Sequence, residues 1–347
     1  MTVSTRALSA KSLCIISCIA LYLTTVASIT VGPMSISFTD SIQSLLPLTN
    51  ADIPNHITMI VQQVRLPRTL LAIAVGGILA ISGAVMQGLF RNPLADPGII
   101  GVSSGAALGA AIAIVLFGGL ASNYPVLLLF GTVPMFACFG GALITFTVYR
   151  LGTGSNGTSV TMMLLAGVAI SALAGAALGL LNYFADDQAL RDLSLWTMGS
   201  LAGANPQGLW LAFTTLIALF ILYYRDADKI NAMLLGESEA RHMGINVQTL
   251  KRRLIILAAV GVGVTVALAG MIGFIGLIVP HVSRMLIGPN YKTLLPVTVL
   301  LGALLLLFAD MLARTVVAPL DMPVGIVTAL IGAPFFVWLL IKQKGRI

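Results

Sequence analysis

Charge is scarce in this chain of 347 residues. Asp, Glu, Lys and Arg together make up 9% of it, against about 25% in an ordinary soluble domain. With 58% of the residues hydrophobic, folding in water could not hide the apolar surface. Soluble enzymes, nucleic-acid binders and disordered scaffolds are excluded on that ground. Histidine and cysteine are sparse as well, three of each. Cys14, Cys18 and Cys138 sit in apolar runs with no C-x-x-C pair and no neighbouring histidine. Neither a disulfide framework nor a zinc site is expected.

Acidic residues are also missing from mid-span positions. Asp96 stands near the inner end of an apolar run, Asp310 and Asp321 near outer ends, and the remaining acids in polar loops. A self-powered pump or an intramembrane protease would need ionisable groups at depth. His56 and His242 fall in loops, and His281 stands beside Pro280 with no acid partner in view. Two enzyme-like strings lack their context. GVSSG at 101–105 fits G-x-S-x-G but lies in an apolar helical run rather than a strand-to-helix turn. GTGSNGTS at 152–159 has a phosphate loop's glycines, but Thr158 stands where its lysine must be. No catalytic residue, bound cofactor or metal is expected of this chain.

What the chain has is length in apolar runs. About 20 apolar residues cross a bilayer as a helix, and clear spans are predicted at 12–31, 66–88, 98–120, 126–149, 160–183, 206–224, 293–313 and 323–341. The stretch Leu254 to Gly288 is too long for one span, and Gly270, Gly273, Gly276 and Pro280 interrupt it. It divides into 254–274 and a short 275–289. The first run has a signal-like basic start, but it continues past the small residues near Ala27, so it is read as an uncleaved span.

The nineteen basic residues, which give a net charge of +7, then decide the topology. With ten spans and both termini inside, Arg65, Arg68, Arg191 and Arg314 alone are outside and the other fifteen inside. Nine spans would leave eight outside. The positive-inside rule therefore selects ten, an all-α polytopic bundle in one domain spanning residues 1–347. The charge marks orientation rather than a nucleic-acid partner.

Two polar regions invite partners. The inner segment 225–253 mixes six basic and four acidic residues. It accommodates two short helical pieces, one ending near Gly236 and one from Glu237 to His242, with Glu237 and Arg241 as i,i+4 partners. It is either a solvated loop or a docking element. Outside, Arg65 and Arg68 flank Pro67, and Arg314 lies at another span's mouth. These cations either snorkel to headgroups or pair with an acidic external partner. Within the spans, small residues recur four apart, at Gly76, Ala80, Ala84 and Gly88, at Gly101, Gly105 and Gly109, and at Gly167, Ser171, Gly175 and Gly179. This is the packing signature of helices in lipid.

Four segments carry a resemblance: RLPRTLLAIAVGGILAISGAVMQGLFRNPLADPGIIGVSSGAALG at 65–109, LLGESEARHMGI at 234–245, ALAGMIGFIGLIVPHVSRMLIG at 267–288 and MPVGIVTALIGAPFFVWLL at 322–340. Nearly the whole chain resembles the permease subunits of ATP-binding-cassette importers for iron chelates, heme and cobalamin. The resemblance implies a ten-helix homodimer in the inner membrane, with two cytoplasmic ATPase subunits and a periplasmic binding protein. ATP and magnesium would then belong to the ATPase partner. Arg65, Arg68 and Arg314 would receive acidic residues of the binding protein. Glu237, Ser238, Glu239, Ala240, Arg241, His242 and Gly244 would contact the ATPase. The span 160–183 would line the path, with Ser159, Val160 and Thr161 near the gate and Gly167 and Ser171 along it. LRDLSLWTMGSLAGA at 190–204 and ADMLARTVVAPLDMPVGIV at 309–327 are most similar to heme permeases, so heme is the expected cargo, with ferric siderophores or cobalamin as the alternatives. Outside the family, an ion-coupled carrier or an enzyme using Ser103 or Ser104 would compete.

Overall fold

The computed structural model describes residues 9–45, 53–118, 131–155 and 157–344. Arg6, Arg346, the Lys344 side chain, the end of the expected third span at 119–120 and the start of the fourth at 126–130 lie outside the described residues. The fold is all-α. Among the described residues eight helices are long and apolar enough to cross a membrane, and two shorter apolar helices accompany them.

In chain order the helices are α1 (Ala10–Thr30), α2 (Phe38–Gln43), α3 (Asn55–Leu89), α4 (Val102–Leu116), α5 (Thr132–Leu151), α6 (Val160–Phe184), α7 (Asp187–Thr197), α8 (Pro206–Leu235), α9 (Glu237–His242), α10 (Val247–Ala269), α11 (Ile275–Ile287), α12 (Tyr291–Thr315) and α13 (Val324–Lys344). Among the described residues, the one sheet is a two-residue hairpin, β1 (Thr153–Gly154) with β2 (Gly157–Thr158).

Helix α3 is the hub. From Arg68 to Leu89 it is buried almost throughout, and it packs on α8, α10, α11 and α12. Its small residues permit this, because a methyl group on Gly83 would overlap the Gly276 carbonyl and one on Gly76 would overlap Gly302. The predicted start at 66 is too late by eleven residues. Pro67 reads as a helix start, since it cannot accept a place in a regular i→i−4 ladder. Instead the turn Ile60–Arg65 is π-helical, the Leu66 N–H donates to the Val61 carbonyl five residues back, and the helix runs on through the proline.

Polar pairing secures the other end of α3. Pro280 inside α11 has no N–H for the Gly276 carbonyl. Gln87 Nε2 donates to that carbonyl at 3.2 Å, and Arg284 Nη2 donates to Gln87 Oε1 at 2.6 Å. Tyr291, fully buried, donates its hydroxyl to the Ala84 carbonyl at 2.6 Å.

The polar segment 225–253 is largely helix: the two pieces read from the sequence are the end of α8 and the whole of α9, and α10 begins within the segment as well. Helix α8 continues for 30 residues to Leu235, about 45 Å at the α-helical rise and longer than a ~30 Å bilayer core. The piece expected to end near Gly236 is the continuation of this helix. Helix α10 begins at Val247, where the Asn246 side chain accepts from the Thr249 N–H. The segment's charges are paired within and between helices: Asp226, nearly fully buried, lies 2.9 Å from Lys229 one turn along α8 and 3.3 Å from Arg253 on α10. The break before α11 comes at Gly270 to Phe274, with positive φ at both ends. The expected third span is a shorter helix entered through a 3-10 turn at Pro97–Ile100.

Candidate functional site

Three separated groups of residues were expected to carry function, and the fold places each in a defined setting. At one end of the bundle the C-termini of α1 and α12 meet the first half of α3. The last carbonyls of a helix have no internal partners and carry partial negative charge. Arg65 Nη1 donates to the carbonyls of Ile29 (3.0 Å) and Thr30 (2.6 Å), and its Nη2 donates to that of Met34. Arg314 Nη1 reaches the carbonyls of Ser28 and Val31, each at 3.2 Å, and its Nη2 donates to the Ser28 hydroxyl at 2.8 Å. Two arginines thus cap α1.

Arg68 pairs through Nε with Asp310 at 2.8 Å and through Nη1 with Asp321 at 2.9 Å. All three arginines are at least 96% buried as residues. Both sequence readings, snorkelling to headgroups and pairing with an acidic external partner, left out the partners these arginines have within the chain. Their counterions and acceptors lie in the same chain, and Arg68 is 242 residues from Asp310. That separation hid the pairing. A cavity of about 210 Å³ nevertheless opens onto the cluster, lined by Pro33, Met34, Arg65, Arg68, Arg314 and Asp321 among others. Asp321 is the exposed member, with 48% of its side chain accessible.

At the opposite end, α9 is a single short helix between Gly236 and Gly244, both at positive φ. A residue with a Cβ would be strained at either position. Ala240 is fully buried and fastens α9 to the bundle, while Ser238, Glu239, Arg241, His242 and Gly244 are exposed. Glu237 is bound to Lys251 at 2.6 Å, with Arg241 3.9 Å away. Lys251 was not singled out from the sequence. It is a buried lysine, 2% exposed, and the KRR run in which it stands reads as a solvated basic cluster.

The third group lies at the start of α6. The hairpin β1–β2 delivers the chain to Ser159, whose Oγ accepts from the Met162 N–H at 3.4 Å and caps α6. Val160 is half-buried and Thr161 exposed. Gly167 packs against the Ile99 carbonyl, where a methyl group would not fit. Ser171 shares a hydrogen bond with Ser104 at 3.0 Å, and Ser104 also donates to the Gly101 carbonyl. Ser104 therefore holds helices together rather than standing ready as a nucleophile. Gly105 and Gly109 pack α4 against α5, facing the carbonyls of Gly140 and Phe136, and Gly101 adopts φ +84. Among the described residues the α6 ridge is only half used, because none lies within 4 Å of a Cβ position at Gly175 or Gly179.

Among the described residues no group of His, Cys, Asp and Glu is arranged to hold a metal. His281 makes an edge contact with the Phe335 ring.

A bundle of long apolar helices, with a short exposed helix at one end and a charged cavity at the other, is the architecture of a polytopic membrane protein. The chain belongs to the FecCD transport family, whose profile matches residues 20–342. It is a permease subunit of an ABC importer, a multi-pass membrane protein that acts with ATPase subunits and a substrate-binding protein. It is 46% identical over 330 residues to the hemin transport system permease protein HmuU of Yersinia pestis, covering 94% of each chain. To the cobalamin import system permease protein BtuC of Halobacterium salinarum it is 42% identical, over 85% of this chain and 76% of the relative. In three dimensions it is similar to a structure described as an inward-facing conformation of a metal-chelate type ABC transporter, with a TM-score of 0.81 and 34% identity over 96% of this chain and 100% of the other.

Proposed function

We propose that this chain is the permease of a heme importer, acting as a homodimer with two cytoplasmic ATPase subunits and a periplasmic heme-binding protein. The observation that carries the cargo is the 46% identity to a hemin permease along 94% of both chains. Cobalamin is the second reading, supported by 42% identity to a cobalamin permease over a shorter alignment. A ferric siderophore is the third, on the resemblance of the sequence alone.

In this reading heme is cargo, ATP and magnesium are bound by the ATPase partners, and the chain itself supplies walls and levers. Helix α9, from Glu237 to Gly244, receives the ATPase. Arg65, Arg68 and Arg314 present positive potential to an acidic side chain of the binding protein through the cavity they line. Helix α6 lines the path beside its copy in the second subunit, and Ser159, Val160 and Thr161 stand at the gate. Two features support the placement of α6: it is the least buried of the long apolar helices, and Gly175 and Gly179 leave room for a second helix.

Reconstitution in liposomes with the ATPase and binding protein tests the proposal. ATP-dependent accumulation of heme, exceeding that of cobalamin and of a ferric siderophore, is expected. Accumulation of cobalamin in preference to heme would reassign the cargo. Uptake by the chain alone under a proton or sodium gradient would overturn the ATP-driven reading.

A further inference from the structure

Two of the three groups are joined by one side chain. Lys251, on the first turns of α10, places its ammonium 2.6 Å from Glu237 Oε1 on α9 and 3.0 Å from the carbonyl of Thr158 on β2. The N–H of the same Thr158 donates to Gln248 Oε1 at 2.9 Å. Gln248 and Lys251 are i,i+3 neighbours on one face of α10. Both backbone polar groups of Thr158 are therefore gripped by α10, one residue before the Ser159 cap of α6. Gly157 allows the approach, since a Cβ there would overlap the Gln248 amide.

A buried ammonium is costly without partners, and Lys251 has two that belong to different elements. On one side is α9, a six-residue helix fastened by Ala240 and otherwise largely exposed. On the other is the hairpin that leads into α6. If α9 shifts while Lys251 remains fixed, the 2.6 Å ion pair must break. If the pair holds, the ammonium moves and the Thr158 carbonyl follows.

We propose that Lys251 is the positioning residue that transmits displacement of α9 to the N-terminus of α6. Glu237 is its handle on the coupling side and Thr158 its load on the gate side. The inference rests on the assignment of α9 to the ATPase and of Ser159 to Thr161 to the gate.

The test uses the complete importer with its ATPase and binding protein in proteoliposomes. Lys251→Met keeps a long buried apolar side chain and removes the ammonium. It is expected to leave ATP hydrolysis running while substrate moved per ATP falls about tenfold, within the range of measured coupling between sites. Lys251→Arg, which retains a cationic donor, should recover most of the loss. A structural role alone would not move the second readout, the distance between nitroxides at Thr161→Cys in the two copies, in a background without Cys14, Cys18 and Cys138. ATP should change this distance in the parent and not in Lys251→Met, while a label at Met243→Cys still responds in both.

Should Lys251→Met fail to assemble, Glu237→Gln cuts the same link from the partly exposed side and should give the same loss of ATP response at Thr161→Cys. Parental transport per ATP and an unchanged distance response, in Lys251→Met or in Glu237→Gln, would overturn the proposal. An importer whose parental form shows no ATP-dependent uptake would instead fail the permease assignment itself, so the two failures are distinguishable.

Discussion

Asp310 stands between two arginines: its carboxylate lies 2.8 Å from Arg68 Nε and 3.0 Å from Arg314 Nε, and its side chain has no exposed surface. Its second oxygen faces Arg314 as a Coulombic contact, because the Arg314 Nε hydrogen is directed to the Asp310 carbonyl at 3.4 Å. Asp310 thus offsets two buried cations at the junction of α1, α3 and α12.

Asp310→Asn leaves Arg314 without a carboxylate partner and Arg68 with only the half-exposed Asp321. Removing one partner of a buried ion pair costs about 3–5 kcal/mol. The variant is expected to show a lowered thermal midpoint in detergent and reduced yield of assembled complex. A midpoint equal to the parent's would mean that water or lipid headgroups solvate the arginines and that the cluster is not the fastening of α1.

Asp321 holds Arg68 from the other side at 2.9 Å, but half its side chain is exposed. An ion pair of that kind is worth ~0–1 kcal/mol. Asp321→Asn should therefore barely alter stability. It frees Arg68 Nη1 at the cavity and removes a negative charge from its lining. If an acidic side chain of the binding protein enters there, affinity between binding protein and importer should rise, with a steeper fall as salt is added. Weaker binding would make Asp321 part of the docking surface rather than a competitor for it.

The sequence revealed the helices but not their cross-connections. Apolar run length locates α1, α6, α12 and α13 closely, because crossing a bilayer is a demand made on each segment by itself. The glycine-rich break before α11 is readable for the same reason. Arg68 and Asp310, by contrast, are joined only by tertiary structure. The positive-inside argument sees four disfavoured cations and cannot see carboxylates more than 240 residues away that accompany one of them. Lys251 was missed on similar grounds, since a lysine beside two arginines gives no local sign of burial. Helix α3 was cut short at Pro67 because a π-turn is a property of backbone packing that leaves no period in the sequence.

The small-residue ridges make separable predictions. A methyl at Gly109 would overlap the Phe136 carbonyl, and one at Gly83 the Gly276 carbonyl. Overpacking such contacts costs about 1–3 kcal/mol, so Gly83→Ala and Gly109→Ala should each lower the thermal midpoint of the isolated chain. Gly175→Leu and Gly179→Leu meet open space and should leave the fold of a single chain intact. Their effect is expected in the chain-to-chain mass ratio by light scattering and in transport. A loss of single-chain stability from Gly179→Leu equal to that from Gly109→Ala would show that the ridge packs within the chain.

Glu239 offers the cleanest probe of α9. It is exposed, has no ion pair among the described residues, and lies apart from both the Ala240 anchor and the Glu237–Lys251 link. Glutamate and arginine have similar helix propensity, so Glu239→Arg reverses charge on the outer face of α9 without disturbing its seat. An ATPase that docks on this face meets a repulsive element costing several kcal/mol if the charge is opposed by a like one. ATP hydrolysis by the subunits should continue, and substrate accumulation should fall. Ala240→Asp, which buries a carboxylate at the anchor, should instead lower the stability of the chain before any partner is added. Normal coupling in Glu239→Arg, measured as substrate moved per ATP, would reduce α9 to a connection between α8 and α10 and shift the ATPase contact to another part of this end of the bundle.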